Sequence, residues 1–138
     1  ASFVGNANLL PVTVERCDRE RQQAWVRLGA KVLEVTAFHP AAAGDVTMLC
    51  VRPHALSLEP HAAAGNTIEA TVTEVQWRGS AHRLYLDVEG MELCADSRPM
   101  RAPPQRGQRV SLHFSPHEAT LLAMPSAVSS DPRAAERA

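Results

Sequence analysis

Thr67 to Val88, TIEATVTEVQWRGSAHRLYLDV, is the stretch whose reading decides the fold. It describes two long strands that turn back on each other at Arg78-Gly79-Ser80. In the first, Ile68, Ala70 and Val72 alternate with Glu69, Thr71 and Thr73, the period of a strand with one buried face. The apolar residues then resume at Val75 and Trp77, one position out of phase. A phase change inside one strand is what a β-bulge produces, because one extra residue shifts the alternation and bends the strand. The return strand alternates again, Leu84, Leu86 and Val88 against Arg83, Tyr85 and Asp87. Long, bent, bulged strands curl small sheets into barrels. The expectation is an all-β fold, a small β-barrel framed by this hairpin.

Outward from the hairpin, the chain reads as further short strands. Leu10 to Arg16, Gln23 to Leu28 and Lys31 to Val35 alternate, with a mixed-charge turn at Asp18-Arg19-Glu20-Arg21. Val46 to Val51 is a nearly continuous apolar run, expected to be buried on both faces. Met91 to Ala95, Val110 to Phe114 and Thr120 to Met124 complete the set. FHPAAAGD (Phe38 to Asp45) and SRPMRAPPQRGQ (Ser97 to Gln108) read as loops, and His61 to Gly65 as a small-residue linker. About nine or ten strands punctuated by Gly and Pro predict an all-β domain over residues 1–124. That count slightly exceeds one five-stranded oligonucleotide-binding (OB) barrel, so two interleaved or adjoining β subdomains are expected. Residues 125–138 offer too little apolar surface to order and are expected to be a frayed tail.

Composition sets the limits. A chain of 138 residues can bury its own core, and its 45% apolar share is that of a globular protein. No stretch approaches the roughly 18 apolar residues of a membrane-spanning helix. Cys17, Cys50 and Cys94 are odd in number and widely spaced, which reads as reduced thiols, with Cys50 in the core. A net charge of −1 gives no long-range pull on nucleic acid or anionic lipid. Trp25 and Trp77 fall within strands and are expected in the core, leaving no aromatic platforms for bases, so nucleic acid is not an expected partner.

Most catalytic chemistry is missing from the sequence. A phosphate-binding loop needs a Lys closing a glycine-rich turn, and the single lysine, Lys31, sits in Gly29-Ala30-Lys31-Val32. His113 and His117 have no cysteine nearby in sequence and read as surface histidines, so no metal site is expected. No Gly-x-Ser-x-Gly elbow occurs. Arg98, Arg101, Arg106 and Arg109 read as a solvated loop, in a chain that prefers Arg to Lys throughout.

Phe3-Val4-Gly5-Asn6, with Asn8, Leu10 and Pro11, resembles the segment that follows the ATPase domain in importer-type ABC transporter subunits. Val51-Arg52-Pro53 resembles that family's Arg-Pro-Glu element, and Val75 to Val88 and Gly107 to Leu122 resemble its two later strand blocks. Four motifs in order, over residues 1 to 124, identify a resemblance to the C-terminal transport-associated OB (TOBE) region of the ATPases serving maltose, polyamine, ferric iron and phosphonate importers. The resemblance implies a non-catalytic regulatory or dimer-bridging domain. Its partners would be its own ATPase domain and a second ATPase subunit in a homodimer, with the permease reached indirectly. ATP and Mg would bind the ATPase domain, leaving no cofactor for this chain, and the whole would sit on the cytoplasmic side of the bacterial inner membrane. The abrupt beginning at Ala1, without Met, fits an excised piece of such a polypeptide.

On this reading the residues of interest are Gly5, Asn6, Asn8, Arg52, Pro53, His54 and Gly79. Gly5 and Asn6 would shape the lead-in turn. Arg52 would form a buried ion pair, the alternative being a guanidinium reaching water. His54 stands where the family has Glu, and Trp77-Arg78 where an aromatic-aliphatic pair precedes Gly79. A second reading is a small-oxyanion module using arginines, backbone amides and hydroxyls such as Thr71, Thr73 or Ser80. A third is an RNA-binding barrel, whose binding would fall steeply with salt.

Overall fold

The computed structural model describes residues 2–4, 6–60 and 65–123, with the side chains of 2–4 left aside. Gly5, most of the expected linker and the expected tail lie outside the described residues. Ten strands follow in order: β1 (Ser2–Val4), β2 (Ala7–Asp18), β3 (Gln23–Leu28), β4 (Lys31–Thr36), β5 (Val46–Val51), β6 (Asn66–Trp77), β7 (His82–Val88), β8 (Met91–Ser97), β9 (Arg109–Phe114) and β10 (Ala119–Leu121). Two 3₁₀ turns, Pro53–Ala55 and Pro116–Glu118, precede the crossing into β6 and β10. The all-β, OB-like expectation holds.

The strands form two lobes built on one plan. In the first, β2, β3, β4, β10 and β5 pair in that order, and β5 closes back onto β2 as a five-stranded barrel. In the second, β8-β7-β6-β9 repeats the course of β4-β3-β2-β5. The registers match position for position: Val14↔Val26 and Arg16↔Trp25 in one lobe, Val72↔Leu86 and Glu74↔Tyr85 in the other. Each long strand is bulged at the equivalent place, between Val14 and Arg16 and between Val72 and Glu74. The bulge read from the phase change at Val75 is there, and it restores Val75 to the face of Val72 opposite Leu84. Even the loop hydrogen bonds repeat. Val14 N–H donates to Asp45 O (2.8 Å) and Gly44 N–H to Val14 O (2.7 Å), as Val72 N–H does to Gln108 O (2.9 Å) and Gly107 N–H to Val72 O (2.7 Å).

The lobes exchange their last segments. After the second 3₁₀ turn, β10 leaves its own lobe and pairs with β5 of the first, Thr120 opposite Cys50. After the first 3₁₀ turn, Ser57 bridges to His113 of β9 in the second, the equivalent position. One continuous core runs through both lobes, from Leu10, Val26 and Leu49 to Leu84, Leu112 and Phe114.

Several side chains lie elsewhere than the sequence predicts. β5 is buried on one face only: Thr47, Leu49 and Val51 point in, and Val46 is 62% exposed. Cys50 is therefore half-buried on the outer face, and the buried cysteine is Cys94. Trp77 is 57% exposed against the His82 ring, because the hairpin runs past the end of the core. Trp25 stands on the outer barrel face beneath the Arg16 guanidinium, 3.8 Å from its ring centre.

Candidate functional site

Of the motif residues, Asn8 lies where the two lobes meet. Asn8 lies on the core face of β2, two residues ahead of the buried Leu10-Val12-Val14 stripe, and is 0% exposed. Its side-chain amide mimics a neighbouring strand: Nδ2 donates to the Cys94 carbonyl (2.8 Å) and Oδ1 accepts from the Cys94 N–H (2.8 Å). Cys94 lies on β8, the edge of the second lobe's sheet, so Asn8 satisfies groups that would otherwise be buried without partners.

Asn66 does the same in reverse. It stands two residues ahead of the buried Ile68-Ala70-Val72 stripe of β6. Its Nδ2 donates to the Glu34 carbonyl of β4 (2.8 Å), and its Oδ1 accepts from the Glu34 N–H (2.9 Å). Glu34 is the fourth residue of β4 as Cys94 is of β8. The result is a reciprocal clamp, each lobe holding the other by one amide. Sequence reasoning missed Asn66. The signal was available: an asparagine in phase with the apolar stripe, in two strands of equal length.

The other expected site residues divide. Arg52 is exposed and makes no buried ion pair; its Nη1 reaches the Asn6 carbonyl at 3.3 Å, tying the end of β5 to the turn after β1. The reason is its place one residue beyond the core-facing Val51, on the outward phase of the strand. Pro53 is buried and opens the first 3₁₀ turn. His54 is exposed and lines a cleft of about 540 Å³ with Leu56, Arg98 and Met100. Gly79 serves the hairpin turn, at φ +92° with open space around it.

Beside the clamp, Arg83 forms a two-pronged ion pair with Asp96, at 2.7 and 2.8 Å. That hydrogen-bonded carboxylate raises the Arg83 pKa further above its ordinary value. Burial pushes the Cys94 thiol up to about 11, so it stays protonated at neutral pH and behaves as a packing group.

A second cleft, of about 460 Å³, opens where the equivalent turns Gly29-Ala30 and Glu89-Gly90 meet. The turns approach so closely that a side chain at Gly29 would strike the Glu89 carboxylate. Lys31, Thr71 and Arg109 line this cleft together with the acidic Glu69, Asp87 and Glu89. Among the described residues there is no group of three or more His, Cys, Asp or Glu placed to hold a metal ion.

A closed five-stranded OB-like barrel joined to a second sheet of the same plan defines the class, and comparison with known proteins gives the family. The model of the TOBE domain matches residues 49–122, more than half of the chain, and the chain belongs to that family. Four Salmonella relatives carry the name "Putative 2-aminoethylphosphonate import ATP-binding protein PhnT". That of Salmonella typhimurium strain LT2 is 30% identical over 122 residues, 88% of this chain and 33% of that protein. That of Salmonella typhi is 31% identical over 123 residues, again 88% and 33%. The chain thus spans about a third of the length of the curated relatives it matches. Among solved structures, the cytoplasmic molybdate-binding protein ModG, with molybdate bound, superposes with a TM-score of 0.72 at 14% identity. The superposition covers 87% of this chain and 98% of that one, and it shows a shared fold. Among the described residues no helix is long and apolar enough to cross a membrane.

Proposed function

We propose that this chain is the non-catalytic regulatory and dimer-bridging domain of an ABC importer ATPase subunit. The observation that carries the reading is the match to import ATP-binding proteins over nearly the whole of this chain but only a third of theirs. The geometry supports it, because two side-chain amides join one lobe to the other and a motif arginine joins the first lobe to the lead-in turn. Asn8 and Asn66 clamp the lobes, and Arg52 holds the turn after β1. ATP and Mg would be held by an upstream ATPase domain, a second subunit would complete the homodimer, and the assembly would lie on the cytoplasmic face of the inner membrane beside its permease.

ATP turnover tests the reading. This chain alone should hydrolyse ATP at background rate, and the same chain joined to its upstream segment should hydrolyse it readily. Turnover by the chain alone would overturn the proposal. For the parent, loss of the amide clamp in Asn66→Leu should alter the dependence of ATP turnover on transported substrate while basal turnover persists.

A second reading, a small-oxyanion module, draws support from the fold shared with a molybdate-binding protein. Charge opposes it in the cleft that holds Thr71: three carboxylates face Lys31 and Arg109 there. Thr73 is spent on the Tyr85 carbonyl (3.0 Å). Calorimetric titration with sulfate, molybdate and phosphonates should give no heat. Saturable heat with any one of them would favour the oxyanion module.

A further inference from the structure

The outer wall of the first barrel, formed by β2, β5 and β10, is apolar where solvent would be expected. Leu9 stands beside Cys50 and Pro11 beside Met48 across the β2–β5 pairing, with Val46 next along β5. The Leu122 N–H donates to Met48 O at 2.9 Å, which extends the wall by one more apolar residue. Val46 is 62% and Leu122 39% exposed, Pro11 is exposed, and Leu9, Met48 and Cys50 are half-buried. Thr13, beside Val46, and Thr120, beside Cys50, share this face, and no charged side chain interrupts the six apolar positions.

The second lobe supplies an internal control. Its equivalent wall pairs β6 with β9 in the same register, with the single Ser57–His113 bridge where β10 would lie, and the corresponding positions are polar. Thr67 replaces Leu9, Glu69 replaces Pro11, Arg109 replaces Val46, Ser111 replaces Met48 and His113 replaces Cys50; Glu59 follows the Ser57 bridge by two residues as Leu122 follows Thr120, but its N–H donates to Ser57 Oγ (3.0 Å). Those side chains pair with one another, Ser111 Oγ donating to Glu69 at 2.8 Å and Thr67 Oγ1 meeting His113 Nδ1 at 3.0 Å. The barrel plan therefore does not require an apolar outer wall. A patch of this size is ordinary for a monomer; what marks it is that one copy of the plan keeps it apolar and the other does not.

The size of the wall and the course of the chain point to the occupant. Six apolar positions of a face three strands wide, the strands about 4.8 Å apart, give an apolar patch on the order of 200 Å². A freely associating partner needs about 800 Å² per side. A patch this small suffices for a neighbour on the same chain, whose effective concentration is set by a short tether. The chain comes in along β1, with Ser2 paired to Leu9 at one border of the wall. We infer that the apolar wall of β2, β5 and β10 is the seat of the upstream portion of the chain, docked on the first lobe and not the second. The inference rests on the proposed function for there being such a portion.

The wall carries its own reporter. Cys50 lies within it, Cys17 lies on β2 beyond the bulge, and Cys94 is buried. Maleimide labelling, followed by mass spectrometry, is compared between this chain and the chain joined to its upstream segment. The expected result is that joining slows Cys50 labelling by about tenfold or more and leaves Cys17 unchanged. The Val46→Asp variant of the long chain should restore fast Cys50 labelling with an unaltered circular dichroism spectrum. Equal Cys50 rates in the two chains, or no effect of Val46→Asp, would overturn the inference. So would Cys50 protection that grows with concentration in this chain alone, which would place a second copy on the wall. An upstream segment that protects Cys50 but hydrolyses no ATP would leave the docking intact and remove the importer reading.

Discussion

Asn8 and Asn66 show how much a single amide can carry. Each gives both hydrogen bonds of its side chain to one backbone unit of the other lobe. Asn8→Leu keeps the shape but leaves the Cys94 N–H and carbonyl buried without partners, and should cost about 1–3 kcal/mol in urea unfolding. Asn66→Leu should cost a similar amount. The double variant should lose less than the sum, since both amides secure the same junction. The Cys94 thiol gives a pH signature. Its pKa is raised from 9.0 to about 11 in the folded chain, so the folded form holds the proton more tightly than the unfolded form. Stability is then full below pH 9.0 and falls as pH rises toward about 11. Denaturation midpoints recorded across that range should decline, and Cys94→Ala should flatten the decline. Arg83→Lys should weaken the pairing with Asp96, because an ammonium cannot reproduce the two-pronged contact.

At the scale of strands, the bulges set the curvature. Thr73 is the extra residue of β6, and deleting it would bring Val72 and Val75 into simple alternation without changing which face is buried. The strand would straighten, and the Thr73 hydroxyl bond to the Tyr85 carbonyl would be lost. Such a deletion should keep the Val75–Leu84 pairing, visible as a cross-strand proton contact, while lowering stability by about 1–3 kcal/mol. This bulge was legible in the sequence because a phase slip is a local signal. The strands were legible for the same reason, apart from the three residues of β1, too short to show a period. The faces were less so. Val46, Met48 and Cys50 look like core in a run of apolar residues, and only their partner strands reveal that they point outward. Trp77 likewise keeps the core phase yet extends beyond the core. The duplication was hidden because the equivalent outer positions differ in chemistry. Its visible traces are the Asn-led stripes and the repeated Pro-His of Pro53-His54 and Pro116-His117.

For the whole molecule, the exchange of end segments makes the two lobes one cooperative object. Expressed separately, residues 1–60 would lack β10 and residues 61–138 would lack the Ser57 bridge. Neither piece should show a cooperative thermal transition by circular dichroism. An equimolar mixture should recover one, and a sharp transition in either piece alone would contradict the exchange. The same topology fixes an order of events during synthesis. The Thr47 hydroxyl waits for the Leu122 carbonyl, 75 residues later, and Leu49 waits for Leu121. Pairings so distant in sequence close slowly. The lobe that leaves the ribosome first is thus the last to be sealed, and its open β4–β5 seam faces the cell until the final strand has been made.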